Sequence, residues 1–377
     1  MNRKNICEIC TLIMGQSPDS KSYNKDKNGI PFYQGNADFG EEHPTPTVWC
    51  TAPKKIARKG DILISVRAPI GDMNIANEDC CIGRGLAAIR LNKSDIVDIN
   101  YLYHYLSATV EFLQEQGTGS TFKAINKTTL DGIEIPCPSI EKQKNIAKLI
   151  IEIKTSIQYK KAELFALNEL VKSRFIEMFG DIRISSIFPN IALENFAQIG
   201  SSKRVHAADY VESGVPFYRS KEIIELGNGQ EPSVELFISK KQYESIKKTN
   251  GVPCKGDILM SAVGTIGKMW IVDGRKDFYY KDGNIISIHS EETNPIYLKE
   301  ALANLIDDFK SANVAGSAYS ALTIVKLKKM TVPMPPMSIQ NEFADFVKLI
   351  DKSKFIVQKQ IDDLQELLDS KMDEYFG

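Results

Sequence analysis

The sequence is written nearly twice. The segment KGDILISVRAPIGDMNI at Lys59–Ile75 returns as KGDILMSAVGTIGKMWI at Lys255–Ile271. GIPFYQ from Gly29 returns as GVPFYR from Gly214, IPCPSIEKQKNIAKLI from Ile135 as VPMPPMSIQNEFADFV from Val332, and SRFIEMFG from Ser173 as SKMDEYFG from Ser370. From Gly119/Gly316 to Gly180/Gly377 the copies stay 197 positions apart without a gap. Insertion and divergence fall elsewhere, between Phe39 and Lys59 in the first copy and between Ile224 and Lys255 in the second. A period of about 200 residues is a whole domain copied once rather than a solenoid repeat. It predicts a pseudo-twofold molecule in which a constant element carries two drifting readers.

At 377 residues, each half is long enough to bury its own core. Basic against acidic residues number 23 to 21 up to Gly180 and 24 to 27 beyond it, so neither half is basic overall. That argues against strong non-specific phosphate binding and leaves room for a local basic surface. No run approaches the roughly 20 apolar residues of a membrane span, and the N-terminus is too short and polar for a secretory signal. A cytoplasmic chain with no membrane partner is expected. The seven cysteines are an odd number, which reads as reduced thiols. Cys7-x-x-Cys10 lacks a second pair, and the adjacent Cys80 and Cys81 suit one tetrahedral ion poorly, so neither a metal nor a cofactor is expected.

Each copy has a variable front and a helical back. In the front, β-rich runs alternate with Gly, Pro, Asn and Asp, and the KGD triplet reads as a tight turn feeding a buried strand. Helical periodicity follows at YLYHYLSATVEFLQEQ and YLKEALANLIDDFKS, each before a Gly-Ser loop at 117–120 and 316–317. The back parts begin after Pro136-x-Pro138 and Pro333-x-Pro335, where proline forbids an earlier helix start. A strict 4-3 spacing then joins Ile146, Ile150, Ile153, Ile157, Lys160, Leu164, Leu167, Val171, Arg174 and Met178. Its counterpart is Phe343, Val347, Ile350, Lys354, Val357, Ile361, Leu364, Leu368, Lys371 and Tyr375. Nearly five heptads make a coiled-coil seam, with helices on the order of 50 Å or slightly longer. Two matched helices in one chain most simply pair with each other; two separate amphipathic helices on their own domains are the alternative.

No catalytic constellation emerges. There is no Asn/Asp-Pro-Pro-aromatic tetrapeptide for base methylation and no phosphate-binding Gly-x4-Gly-Lys-Ser/Thr loop. The nearest string, Gly264-Thr-Ile-Gly267-Lys268-Met269, has the wrong spacing, and its counterpart Ala68-Pro-Ile-Gly71-Asp72 replaces lysine with an acid. Glu152-Ile-Lys154 and the acid pair Asp362-Asp363 lie on the heptad helices, where a solvated face is the simpler reading.

The order and repetition of these elements resemble the specificity subunit of type I restriction-modification systems. The resemblance covers essentially the whole chain. It rests on the paired KGDIL strands, the Gly-Ser loop before Leu130 and Leu327, the two Pro-x-Pro junctions followed by Gln143 and Gln340, and the endings Phe179-Gly180 and Phe376-Gly377. It implies an α+β fold in which two tandem homologous mixed α/β target-recognition domains are separated by a pair of long antiparallel coiled-coil helices. The expected division is 1–138 for the first reader, 139–180 for the first helix, 181–335 for the second reader and 336–377 for the second helix. The implied role is non-catalytic: to bind a bipartite target in double-stranded DNA and to dock two modification (methyltransferase) subunits and ATP-dependent restriction subunits. Two alternatives remain open, namely the recognition subunit of a type II enzyme with a separate methyltransferase-nuclease chain, and a two-domain adaptor that binds protein rather than DNA.

Loops that match in position yet differ in side chain are the natural base readers: Gln34, Asn36 and Asp38 against Arg219, Ser220 and Lys221, and Arg67 against Val263. Lys21, Lys123, Lys127, Lys203, Arg204, Lys268 and Lys326 stand in or beside turn-rich loops and are candidates for phosphate contacts. Lys160, Arg174, Lys354 and Lys371 interrupt the apolar seams and are candidates for partner docking.

Overall fold

The computed structural model describes residues 3–115, 124–181, 185–313 and 322–377. It divides into two units, Met1–Lys161 with Lys359–Gly377, and Ala162–Gln358. The Gly-Ser loops expected at 117–120 and 316–317 lie outside the described residues.

The first unit is built on β1 (Cys10–Met14), β2 (Ile30–Tyr33), β3 (Ile62–Ser65), β4 (Met73–Ile75), β5 (Cys80–Ile82) and β6 (Leu86–Leu91). One antiparallel sheet has the order β1-β6-β3-β4. β2 and β5 pair in parallel inside a second, five-stranded sheet, Phe32 opposite Cys81 and Tyr33 opposite Ile82. β3 is buried at every position, which is why its sequence is a continuous apolar run rather than an alternation. The KGD turn feeds it: Gly60 takes a φ of 89°, and the Asp61 carboxylate accepts the Arg58 N–H at 2.8 Å.

Helix α1 (Ile99–Ala108) is capped by Asp98, whose carboxylate accepts the N–H groups of Asn100 and Tyr101. Helix α2 (Ile140–Phe179) follows the Pro-x-Pro junction as one 40-residue helix, about 60 Å long. Gln143, fully buried, ties the junction together: its amide accepts from Asp98 N and donates to the carbonyls of Ile96 and Pro138, each at 2.9 Å. Near the C-terminus of the chain, Phe376 packs edge-on against Tyr101 and Tyr105 of α1.

The second unit repeats this plan. Its strands are β7 (Gln198–Gly200), β8 (Val215–Tyr218), β9 (Ile258–Ser261), β10 (Met269–Ile271), β11 (Tyr279–Tyr280) and β12 (Ile285–His289). The antiparallel order is β7-β12-β9-β10, and β8 pairs with β11 in parallel. Register is kept as well, with Ile62 opposite Ile75 in the first unit and Ile258 opposite Ile271 in the second. The divergent segment differs in kind. Where the first unit has a single 3-10 turn at Asn36–Asp38, the second builds α3 (Ser220–Gly227) and α4 (Lys240–Thr249). Helix α5 (Pro295–Asn313) corresponds to α1, and α6 (Met337–Phe376) again has 40 residues.

All twenty seam positions foreseen on α2 and α6 are buried or half-buried. In the second unit the last turns of α2 lie on the first turns of α6, so the helices run antiparallel there: Phe175 and Phe179 stand 5.6 and 5.3 Å from Phe343, and Arg174 reaches Glu342 at 3.3 Å. Phe175 and Phe179 lie off the strict 4-3 register. They widen the stripe because α2 must also cover Tyr297 of α5, at 5.9 and 4.8 Å.

Candidate nucleic-acid interface

In the first unit the matched loops converge on one edge of the sheets. Gly83 N–H donates to Tyr33 O at 2.8 Å, Gly85 N–H to Gln34 O at 3.2 Å, and Val66 N–H to Gly85 O at 2.9 Å. The residues after β2, β3 and β5 are therefore adjacent. Ser17 joins them through its hydroxyl, which bonds the Gln34 amide at 3.1 Å and accepts the Arg84 N–H at 3.4 Å. Gln34 and Arg67 are exposed on this rim, and Arg67 bridges to Ala124 through the backbone. Asn36 is held by Asp72 at 2.6 Å, and Asp38 accepts the Gln34 N–H at 3.0 Å. The loop carrying Arg67 is pinned by Ser65, whose hydroxyl donates to Pro69 O at 2.7 Å and accepts the Asp72 N–H at 3.0 Å. Lys21 and Lys127 are exposed, and Lys123 lies outside the described residues.

The second unit keeps the scaffold and changes the surface. Ser261 pins the equivalent loop by donating to Thr265 O and accepting the Lys268 N–H at 3.0 Å, and the exposed tip residue is Val263 in place of Arg67. Arg219 is engaged: it bonds Glu222 at 2.7 Å and Glu235 at 2.9 Å, and Glu222 is 0% exposed. Ser220 opens α3 and is half-buried. Lys221 shares Glu235 at 3.1 Å, and Arg204 pairs with Asp282 at 3.1 Å. These contacts hold the Arg219 guanidinium firmly protonated and the exposed Glu235 carboxyl below its usual range. Lys203 and Lys268 are exposed, and Lys326, also exposed, lies over the Phe309 ring at 5.5 Å. Backbone bonds bring the residues after β2, β3 and β5 together in the first unit and their counterparts together in the second, where the sequence does not show that Arg219, Lys221 and Arg204 are held in ion pairs. Of the carboxylates that hold Arg219, Glu235 comes from the insertion of the second copy, while Glu222 stands where the first copy has Ala37.

Of the seam cations, Arg174 pairs with Glu177 and Glu342, Lys354 with Asp351 and Lys371 with Glu374, while Lys160 is half-buried. Most of these charges are met by acids one turn away on the same helix. Larger unpartnered features are apolar: Phe165, Leu349, Phe355 and Ile356 in the second unit are all exposed, Phe355 by 69%. A scan of the seam alone misses them because they lie on the outer faces. Burial pushes the Cys10 and Cys80 thiols up to about 12 and Cys81 to about 11, so these sulfurs stay protonated and packed. Among the described residues no helix is long and apolar enough to cross a membrane.

The chain is 45% identical over 177 residues, 46% of its length, to the type I restriction enzyme MjaX specificity subunit of Methanocaldococcus jannaschii, and that match spans 41% of the relative. It is 24% identical to the MjaIX specificity subunit of the same organism over 97% of this chain and 90% of the other. The fold is similar to that of the S subunit of the type I restriction-modification system from M. genitalium, with a TM-score of 0.59 and 16% identity over 100% of this chain and 96% of that one. The model of the type I restriction modification DNA specificity domain matches twice, at residues 1–169 and 188–366. Two tandem copies of that domain make the chain a member of the type I restriction-modification specificity family.

Proposed function

We propose that this chain is the non-catalytic specificity subunit of a cytoplasmic type I restriction-modification complex, in which each recognition domain reads one half of a bipartite DNA target. The observation that carries the proposal is the contrast between the two rims. Strand order and register of the four-stranded antiparallel sheet are the same in both units, down to the serine-pinned loop, while the exposed side chains on that loop and its neighbours differ. A core kept constant under a changed rim is what two readers of different sequences require.

In this reading residues 1–138 and 181–335 are the recognition parts, and the helices of 139–180 and 336–377 set their spacing. Gln34, Asn36, Arg67, Arg219 and Lys221 face bases. Lys21, Lys123, Lys127, Lys203, Arg204, Lys268 and Lys326 meet phosphates. The helices recruit two methyltransferase subunits, and restriction subunits join them. Lys160, Arg174, Lys354 and Lys371 contribute to that docking, and the exposed Phe165, Leu349, Phe355 and Ile356 add the apolar area that a stable interface needs. Arg219 and Arg204 read DNA only by exchanging their carboxylate partners for it, so the second rim pays an opening cost that the first does not.

The test is co-expression with candidate methyltransferase subunits, mass measurement of the purified complex, and selection from a random duplex library at several salt concentrations. The expected result is one specificity chain with two methyltransferase chains, selecting two fixed half-sites separated by a fixed gap, with affinity falling steeply as salt rises. Binding that ignores both sequence and salt would favour the protein-binding adaptor instead.

A further inference from the structure

Arg84 was not among the residues that sequence comparison of the two copies singled out. It stands in the turn Gly83-Arg84-Gly85 between β5 and β6, exposed, and among the described residues no carboxylate pairs with it. Its backbone is fixed on every side. Gly83 N–H is bound to Tyr33 O, Arg84 N–H to the Ser17 hydroxyl, Gly85 N–H to Gln34 O, and Leu86 N–H to Gly83 O.

The two glycines are required by close approach. A Cβ on Gly83 would stand 3.0 Å from Gln34 Cα, and one on Gly85 would stand 2.5 Å from Gln34 O. The same crowding strips side chains from both flanks of Arg84. Arg84 stands exposed on a rigid, bare turn whose backbone is bonded to Gln34 on one side and to Val66 on the other. Preorganisation of this kind removes much of the ordering cost of binding.

The second unit supplies the comparison. The parallel ladders align Ile82 with Tyr280, and Gly83 and Lys281 make the same backbone bond, to Tyr33 O and Tyr218 O, each at 2.8 Å. Two positions beyond Ile82 is Arg84; two positions beyond Tyr280 is Asp282. There the charge is reversed and already used, by Arg204 at 3.1 Å and by Lys281 at 3.9 Å. Counted back from Leu86 and Ile285, which face Ser65 and Ser261, the second turn is one residue longer, so the turn that carries an arginine without a carboxylate partner among the described residues in one domain carries a paired aspartate and a glycine in the other.

We infer that Arg84 is a specificity-determining residue of the first recognition domain and that its target is the guanine edge of a base pair in the major groove, O6 and N7 taken by the guanidinium fork. This rests on the DNA-reading function proposed above. Arginine is the side chain that reads guanine bidentately. A phosphate contact is the competing role for a lone arginine, and the test separates the two.

The experiment uses the full chain co-expressed with its methyltransferase partners, as wild type, Arg84→Ala and Arg84→Lys, with each protein's half-sites selected from a random duplex library. Both variants are expected to lose a guanine preference at one position of one half-site, to leave the other half-site unchanged, and to bind the wild-type duplex about tenfold to a hundredfold more weakly. Arg84→Lys keeps the charge and loses the fork, so retention of the guanine preference in that variant overturns the bidentate assignment. Equal weakening on selected and scrambled duplexes makes Arg84 a phosphate contact and overturns the proposal while the DNA-reading function stands. Unchanged selection and affinity in Arg84→Ala also overturn it alone. A wild-type complex that selects no sequence overturns both. An unchanged unfolding midpoint shows that each variant is folded.

Discussion

Gln143 accepts the backbone N–H of Asp98 at 2.9 Å through its side-chain amide, and Gln340 does the same for Asn294 at 2.8 Å. In each copy this bond joins the first turn of a 40-residue helix to the N-cap of the helix that packs on the sheet. The Gln143 amide also donates to Ile96 O and Pro138 O, and Gln340 donates to Pro335 O. No aliphatic side chain of similar size satisfies these groups, and the Gln143 and Gln340 side chains themselves are buried.

Gln143→Leu is therefore expected to destabilise the protein by about 2–3 kcal/mol, since three partly buried polar groups lose their partner together. Denaturant unfolding measures the loss. Gln340→Leu should cost a similar amount, and a loss below about 1 kcal/mol in both variants would show that the junction is held by other contacts.

The turn before β3 shows the two copies solving one problem with different chemistry. Asp61, nearly fully buried, is held by Arg90 at 2.8 Å; Asp257 in the second copy is held by His289 Nδ1 at 2.7 Å. Strand register places Arg90 and His289 at equivalent positions, each one residue past the isoleucine that faces Ile62 or Ile258. Arg90→Ala leaves a buried carboxylate unpaired and is expected to cost about 2–4 kcal/mol, the upper figures being reduced because Arg90 is partly exposed. Arg90→His should recover a large part of that loss near pH 6. Thermal unfolding of the two variants side by side checks the prediction.

A pH dependence is expected from His104. It is buried in α1 with Lys154 Nζ at 3.5 Å from Nδ1, and burial first, then the lysine charge, lower its pKa to about 3. The folded state holds this imidazole neutral while the unfolded chain protonates it near pH 6.5, so the unfolded state binds more protons and stability falls with pH below that value. From pH 6.5 to 4.5 the loss is on the order of 2–3 kcal/mol. His104→Gln should flatten stability against pH across that window, and an unchanged slope would assign the acid sensitivity to other groups.

Much of this fold was legible because it is carried by local patterns. Proline fixes where the long helices start, the glycine of KGD fixes the turn, and ILIS and ILMS read as strands because both faces are covered. The seam was legible from Ile146 to Ile157, where only one face is buried. It was less so at Phe175 and Phe179, where α2 meets two neighbours and the stripe outgrows the heptad. The rims were legible only as positions. That Gln34 and Arg67 share an edge could be guessed from the repeat, but the pairing of Arg219 with Glu222 and Glu235 depends on a glutamate where the first copy has Ala37 and on an insertion present in one copy alone. Arg84 had a visible signal, a cation between two glycines, that comparison of the copies hid because the residues around Asp282 do not repeat it.

The helices are expected to act as a ruler. α2 and α6 have equal length, and in the second unit the end of one lies against the start of the other, with Phe175 at 5.6 Å from Phe343. Seven residues inserted into α2 alone break that match, and the variant should lose stability and selective binding together. The same insertion in both helices restores the match with each helix about 10 Å longer. At about 3.4 Å per base pair the gap between half-sites should then grow by roughly three base pairs, with the half-site sequences unchanged. Library selection with the double-insertion protein reads the gap directly. A gap of unchanged length in a folded protein would mean that the separation of the readers is set by the domains or by the methyltransferase partners, not by the helices.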